Sequence, residues 1–331
     1  MGLSARLTVF VLVVGLAVAA GAAVWGLSRF ERPGPSTADT TLVVPRGAGV
    51  TAIARQLGRA GVVEHPLVFA LGTRLFAGGR PLRAGEYRFA AGIGARAAMQ
   101  QMLDGDSLQR RLVVAEGLTT AEVRALVAAA EGLDGEAPPA AEGALLPETY
   151  FYSWGDDRAA LVARMAAAMQ DTLAELWPAR APGLPLDSAA AALTLASIVE
   201  KETALAAERP RVAAVFLNRL RRGMKLQSDP TVIYALTGGD GALDRPLLRA
   251  DLAAPSPYNT YLNAGLPPGP IANPGRAAIA AVLQPAATRE LYFVADGNGG
   301  HAFAETLDEH NRNVAKWRKL RAQDTTAAPP P

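Results

Sequence analysis

The residues with the clearest chemical potential lie in Ala196-Ser197-Ile198-Val199-Glu200-Lys201-Glu202-Thr203, where an apolar helical stripe runs into acid. Leu195, Ile198 and Val199 have the i, i+3, i+4 spacing of a buried helix face, and Glu202 and Ala206 continue it. With successive residues about 100° apart, Glu202 points the same way as those three and Glu200 points well away. A carboxyl on the apolar side of a helix is costly to ionise without a partner, so its pKa is expected to rise. A proton-donating acid catalyst needs that condition. Glu202 is therefore the expected catalytic acid. The plainer alternative is a solvated carboxylate or one paired with an arginine, and Glu200 is expected to be structural, either exposed or hydrogen-bonded.

Beyond that helix the chain is dense in neutral polar side chains at turn-rich positions. Asn218-Arg219 ends one helical pattern, Gln227-Ser228-Asp229-Pro230 begins another, and Tyr258-Asn259-Thr260-Tyr261 follows. Asn218, Gln227, Asp229, Tyr258, Asn259 and Tyr261 are candidate substrate contacts, since such groups hydrogen-bond sugar hydroxyls and acetamido groups. Asp229 before Pro230 can equally cap the following helix. Leu266-Pro267-Pro268-Gly269-Pro270-Ile271 cannot be helix or inner strand, because proline lacks the donor and fixes φ. It is expected as a stiff loop shaping one lip of a groove. His301 has no second histidine or cysteine at ligand spacing, so no metal is expected, and nothing in the sequence calls for a cofactor.

These residues need elements to hold them. Asp187 is expected to cap the Glu202 helix, Pro210 to sit in the first turn of the next, which runs to Arg222, and Gly223 to end it. A long amphipathic helix is expected from Arg158 to Leu176, and Thr119 to Ala130 is a shorter one. The aromatic run Tyr150-Phe151-Tyr152-Ser153-Trp154 reads either as core or as a sugar-stacking wall. Upstream, residues 41–106 form a small α+β unit: strand Thr41 to Val44, helices from Val50 to Ala60 and Val68 to Phe76, strand Gly85 to Phe89, and a helix from Ala95 to Leu103. Its strand–helix–helix–strand order resembles LysM-like domains that bind N-acetyl sugars; a spacer is the alternative. A mixed α/β catalytic domain is expected over 107–320 and a disordered tail over 321–331. The fold class is thus α+β with an N-terminal transmembrane helix.

Leu7 to Leu27 is an uncharged run of about twenty residues, enough to span a bilayer as a helix. Its length favours a retained signal anchor over a cleaved signal peptide. Arg6 precedes it and Arg29 and Arg32 follow it, so the flanking charges do not orient it. Residues 1–6 form a short N-terminus before the anchor and residues 28–40 a linker after it. The formal charge of +2, with no dense basic stripe, argues against nucleic acid as a partner. With no cysteine, thiolate catalysis, disulfides and zinc–thiolate sites are excluded.

Several of these segments together resemble a known family. Ala-Ser-Ile-Val-Glu-Lys-Glu-Thr at 196–203, Phe-Leu-Asn-Arg-Leu at 216–220 and Leu-Gln-Ser-Asp-Pro-Thr-Val-Ile-Tyr at 226–234 are similar to the YceG-like (MltG) endolytic murein transglycosylases. So are Pro-Tyr-Asn-Thr-Tyr at 257–261, Gly-Leu-Pro-Pro-Gly-Pro-Ile at 265–271 and Leu-Tyr-Phe-Val-Ala-Asp-Gly-Asn-Gly-Gly-His-Ala-Phe at 291–303. Glu148 stands where the family often has aspartate, and no catalytic role is assigned to it. The resemblance implies a single-pass inner-membrane protein with its N-terminus in the cytoplasm and its catalytic domain on the periplasmic face. It implies cleavage of the β-1,4 bond between N-acetylmuramic acid and N-acetylglucosamine within nascent peptidoglycan strands, leaving 1,6-anhydromuramyl ends and ending strand elongation. Glu202, followed by Thr203, matches the family's catalytic glutamate, acting first as acid and then as base on the muramyl 6-hydroxyl. Penicillin-binding proteins and other peptidoglycan synthases are the candidate partners. Two other readings stay open: a muramidase in which Asp229 or Glu200 activates water, and a non-catalytic wall-binding scaffold.

Overall fold

In the computed structural model, residues 3–327 are described. Two residues of the expected N-terminal stub, Met1 and Gly2, and the last four of the expected tail, residues 328–331, lie outside them. In chain order the elements are α1 (Leu3–Glu31), β1 (Thr40–Val44), α2 (Val50–Arg59), α3 (Pro66–Phe76), β2 (Gly85–Phe89), α4 (Ala95–Asp104), β3 (Gln109–Val113), α5 (Thr120–Ala129) and β4 (Leu133–Asp134). There follow β5 (Thr149–Ser153), β6 (Asp156–Asp157), α6 (Arg158–Leu176), α7 (Ala189–Glu202), α8 (Arg209–Arg221), α9 (Asp229–Thr237), α10 (Arg276–Leu283), β7 (Tyr292–Ala295), β8 (His301–Ala304) and α11 (Leu307–Ala327). The chain divides into two compact units, each mixing helix with short two-stranded sheets: Met1–Arg111 with Glu131–Asp134 and Phe151–Asp156, and Leu112–Ala130 with Gly135–Tyr150 and Asp157–Pro331.

In the first unit β1 and β2 pair antiparallel, with Leu42 opposite Tyr87, and α2 and α3 connect them. The helical spacing read in α2 is the buried face, with Ile53, Ala54 and Leu57 at most 1 % exposed. α1 is the one helix among the described residues long and apolar enough to cross a membrane, and its apolar window is exposed. Its last turn is not: Phe30 is 1 % exposed and belongs to the core of this unit. Residues 28–40, expected as a linker, are packed in part. The Gly34 N–H donates to the Gly92 carbonyl at 3.0 Å and the Gly92 N–H donates to the Ser36 carbonyl at 2.7 Å. Proline and glycine there permit a close backbone approach as readily as a loose tether.

The second unit is centred on α7, which packs against α8 and α10. Leu195, Ala196, Ile198 and Val199 of α7 meet Val215 and Phe216 of α8 and Ile279 and Val282 of α10 in one cluster. α7 is buried on more than one side, since Ala192, Thr194 and Ser197 are also enclosed. A helix surrounded in this way has no solvent stripe on which acids can rest. Its N-cap is Ser188, whose Oγ accepts from the Ala191 N–H at 3.2 Å; Asp187, expected in that role, accepts instead from the Ser188 hydroxyl. β7 and β8 form an antiparallel hairpin with Phe293 opposite Phe303 and Ala295 opposite His301. α11 packs on that hairpin and stays helical to Ala327, past residue 321, where the tail was expected to begin.

Candidate active site

Glu202 is the last residue of α7. The carbonyl end of a helix carries partial negative charge, which disfavours a second negative charge there. The Ser228 hydroxyl donates to Glu202 Oε1 at 2.5 Å. Ser228 is the N-cap of α9, yet its side chain makes no capping bond, because the hydroxyl is turned to Glu202. Its own position is fixed on both sides. The Ser228 N–H donates to Thr260 Oγ1 at 3.0 Å, and the Thr231 hydroxyl donates to the Ser228 carbonyl at 2.6 Å. The Thr231 and Thr260 hydroxyls meet at 2.8 Å, and both residues are at most 1 % exposed.

Glu202 retains some accessible surface. Its carboxyl is nevertheless packed closely enough that burial pushes its pKa up to about 7. The Ser228 bond opposes the rise, the Asp229 carboxylate adds to it, and His301 and Arg219 oppose it. The raised pKa expected of this residue is therefore present and has the expected cause. A group so placed is reachable by a substrate and still holds its proton near neutrality.

The other candidate residues separate into two sets. Asp229 is exposed and opens α9 without capping it; its Oδ1 accepts from the Tyr261 hydroxyl at 2.6 Å. Gln227 is exposed, with φ +53°, a left-handed backbone that non-glycine residues rarely adopt. Tyr258 is half-buried and packs against Tyr234, their ring centres 4.8 Å apart. Asp229 and Tyr261 lie within electrostatic reach of Glu202, and Gln227 immediately precedes Ser228 in the chain.

Asn218 and Asn259 are engaged differently. The Asn218 amide donates to the Thr288 and Glu290 carbonyls at 2.9 and 3.0 Å, and its oxygen accepts from Arg221. Asn259 is fully buried; its amide donates to the Leu252 and Ala254 carbonyls, and its oxygen accepts from the Tyr261 N–H. Both tie loops to the scaffold through these bonds. The aromatic run divides similarly: Tyr150 and Tyr152 are buried and donate to backbone carbonyls, whereas Phe151 is exposed.

Glu200 points away from Glu202 and is buried on the other side of α7. Its side chain is 4 % exposed; Oε1 accepts from Arg209 at 3.0 Å and Oε2 accepts from the Gly275 N–H at 2.9 Å. Arg209 also donates to Glu116 at 3.0 Å. A Cβ at Gly275 would sit 1.8 Å from Glu116 Oε1, so any larger residue there would make the Glu116 side chain move. Burial raises the Glu200 pKa, and the Gly275 N–H pulls it back.

Ser228, Arg219 and the pair formed by Glu208 and His301 have no sequence pattern that marks them. Arg219 is 8 % exposed and is spent on the carbonyls of Leu291 and Leu226, both at 2.7 Å. Glu208 accepts from the His301 N–H at 2.9 Å and meets His301 Nδ1 at 2.7 Å, which joins the β7–β8 turn to the start of α8. The Glu208 pKa is lowered: burial opposes ionisation, and the bonds from His301 outweigh it. Ser197 ties the proline-rich loop to α7, its Oγ accepting from the Ile271 N–H at 3.0 Å. A groove of about 380 Å³ is bordered by Lys201, Pro230, Tyr234, Arg245 and Ile271; Glu202 and Ser228 are not among the residues that line it.

With this geometry in hand, likeness to known proteins is informative. The sequence model of the YceG-like family matches residues 42–316. The endolytic murein transglycosylase of Bacillus subtilis is 31 % identical over 331 residues, covering 90 % of each chain. The endolytic murein transglycosylase of Streptococcus pneumoniae strain D39 is 28 % identical over 83 % of this chain, which spans 58 % of that relative's length. A crystal structure of a yceG-like protein from Listeria monocytogenes aligns with a TM-score of 0.51 at 28 % identity, over 84 % of this chain and 99 % of that one. The chain belongs to the YceG-like family.

Proposed function

We propose that this chain is an endolytic murein transglycosylase in which Glu202 alone serves as acid and base. The observation that carries this reading is a buried carboxyl with a pKa near 7, held by Ser228 in a family whose relatives bear that activity. Ser228 engages Oε1, leaving the other carboxyl oxygen to carry the proton. Protonated Glu202 gives that proton to the glycosidic oxygen as the bond to the muramyl C1 breaks with oxocarbenium character. The resulting carboxylate then takes the proton of the muramyl 6-hydroxyl, whose oxygen bonds to C1. The 1,6-anhydro ring closes, N-acetylglucosamine leaves with its 4-hydroxyl, and Glu202 is again protonated. No water is consumed and no second carboxylate is needed.

Asp229, held by Tyr261, acts on Glu202 to favour its protonated form. Gln227, Asp229, Tyr258 and Tyr261 are the proposed substrate contacts; Asn218 and Asn259 position loops. α1 is read as a single-pass inner-membrane anchor with the catalytic unit on the periplasmic face, and its length and uncharged run support that. The antiparallel β1–β2 pair around α2 and α3 supports a LysM-like, glycan-contacting role for the first unit. Acting on nascent strands at the membrane, the enzyme would meet penicillin-binding proteins or other peptidoglycan synthases.

Digestion of purified peptidoglycan in water enriched in oxygen-18 tests the reaction. The expected muramyl ends carry no label and lack the mass of one water. Labelled, reducible ends would establish a hydrolase, with Asp229 or Glu200 activating water.

A further inference from the structure

α3 carries an apolar face that the first unit does not use. Leu67, Leu71 and Leu75, spaced i, i+4, i+8, are 75, 57 and 76 % exposed, and Phe76 beside them is 45 % exposed. The opposite face, with Phe69, Ala70, Gly72 and Thr73, is buried. Arg74 is the only charged residue in the helix. A helix facing water normally places polar residues on its outer side, so a ridge of this size marks an interaction surface.

The ridge forms one wall of an apolar groove of about 490 Å³, whose other wall is α1 from Ala22 to Phe30. Two facts fix the depth of that groove. At about 1.5 Å per residue, the uncharged run from Leu7 to Leu27 spans about 30 Å, the thickness of a bilayer's hydrocarbon core. Ala22, Gly26 and Leu27, which line the groove, are in its last two turns. The two helices are also locked together. Phe30 sits so close to Gly72 that a Cβ there would lie 2.4 Å from its ring, and Phe30 stacks on Phe76 at 5.6 Å. At the same level Trp25 lies 5.1 Å from the His65 ring, with Arg29 over it at 5.8 Å, the aromatic and basic pairing common at a membrane–water interface.

We infer that the Leu67–Leu71–Leu75 ridge of α3 is embedded in the outer leaflet of the bilayer that α1 spans, with lipid acyl chains filling the groove between the two helices. The inference rests on the reading of α1 as an anchor. The first unit is then seated on the membrane at a fixed height by two elements, one crossing and one lying in the interface.

The chain has no cysteine, so single cysteines report one site each. The full chain is reconstituted in phosphatidylethanolamine–phosphatidylglycerol vesicles as L71C, L16C or R88C, each bearing an environment-sensitive fluorophore. Lipids carrying shallow or deep doxyl quenchers are then added. Leu16 lies in the middle of α1, and Arg88 is an exposed position on β2 outside the groove. The expected result is strong loss of emission at position 71 with the shallow quencher, strong loss at position 16 with the deep one, and none at position 88. Loss at 16 without loss at 71 overturns the inference and leaves the anchor standing. Disulfide-linked dimers of unlabelled L71C, with no quenching of the labelled protein, would give the ridge to a second copy, which also overturns it. Absence of quenching at both 16 and 71 removes the anchor reading itself.

Discussion

Replacing Glu202 by glutamine should change how the stability of the catalytic unit depends on pH, and the structure fixes sign and size. The Glu202 pKa is about 7 in the folded chain against the ordinary 4.5. Below pH 4.5 the carboxyl is neutral in both states and contributes no pH dependence. As pH rises from there, the unfolded chain releases the proton while the folded chain holds it, so unfolding becomes progressively easier. The effect is complete once pH passes the folded value of about 7. At ~1.4 kcal/mol per pH unit, the interval amounts to about 3 kcal/mol. Glutamine keeps the shape and can still accept from Ser228, but it cannot ionise. Wild type should therefore lose about 3 kcal/mol relative to E202Q between pH 4.5 and about pH 8. For a unit of this size that is a divergence in melting temperature of roughly 6–12 °C. Scanning calorimetry of the full chain in detergent micelles at a series of pH values measures it, and titrating groups that do not interact with Glu202 cancel in the difference. Parallel melting curves across that range would refute the claim that the folded chain holds Glu202 neutral.

Other expectations concern the residues around it. In wild type, kcat/KM should fall as pH rises through about 7, when the acid loses its proton. D229N removes a charge that raises the Glu202 pKa and should move that limb to lower pH, whereas S228A removes a bond that lowers it and should move the limb higher; pH–rate profiles on isolated glycan strands measure both. E200Q should retain 1,6-anhydro product ends but destabilise the unit by about 1–3 kcal/mol in chemical denaturation, because buried Arg209 loses one of its two carboxylates. N273A should cost about 2 kcal/mol by the same measure, since fully buried Asn273 donates to the Leu118 carbonyl and accepts from the Leu145 N–H.

Local patterns in the sequence carried far. The stripe in α2 and the full extent of α6 follow from short-range periodicity, and the membrane-length run in α1 from an unbroken uncharged stretch; all three survive into the fold. Glu202 was legible because a carboxyl in line with Leu195, Ile198 and Val199 is costly whatever the partner helices are. Its partner was not, because Ser228 lies 26 residues away and is an ordinary helix cap by position. Only the placement of Thr260 and Thr231 turns that hydroxyl inward. Asn218 and Asn259 illustrate a different limit, since an amide that binds sugar and one that ties two carbonyls are the same residue in a sequence. Glu200 was placed correctly off the Glu202 face, yet the far side of α7 is also buried, and Arg209 and Gly275 come from distant segments to satisfy it.

The most direct test of a single carboxyl acting as acid and then base is mass analysis of the strand ends made by wild type and by E202Q from the same peptidoglycan. The wild type should give internal cuts with 1,6-anhydromuramyl ends that resist borohydride reduction, and E202Q, folded and stable above neutral pH, should give none. Anhydro ends undiminished in E202Q, or reducible ends from the wild type, would contradict the account.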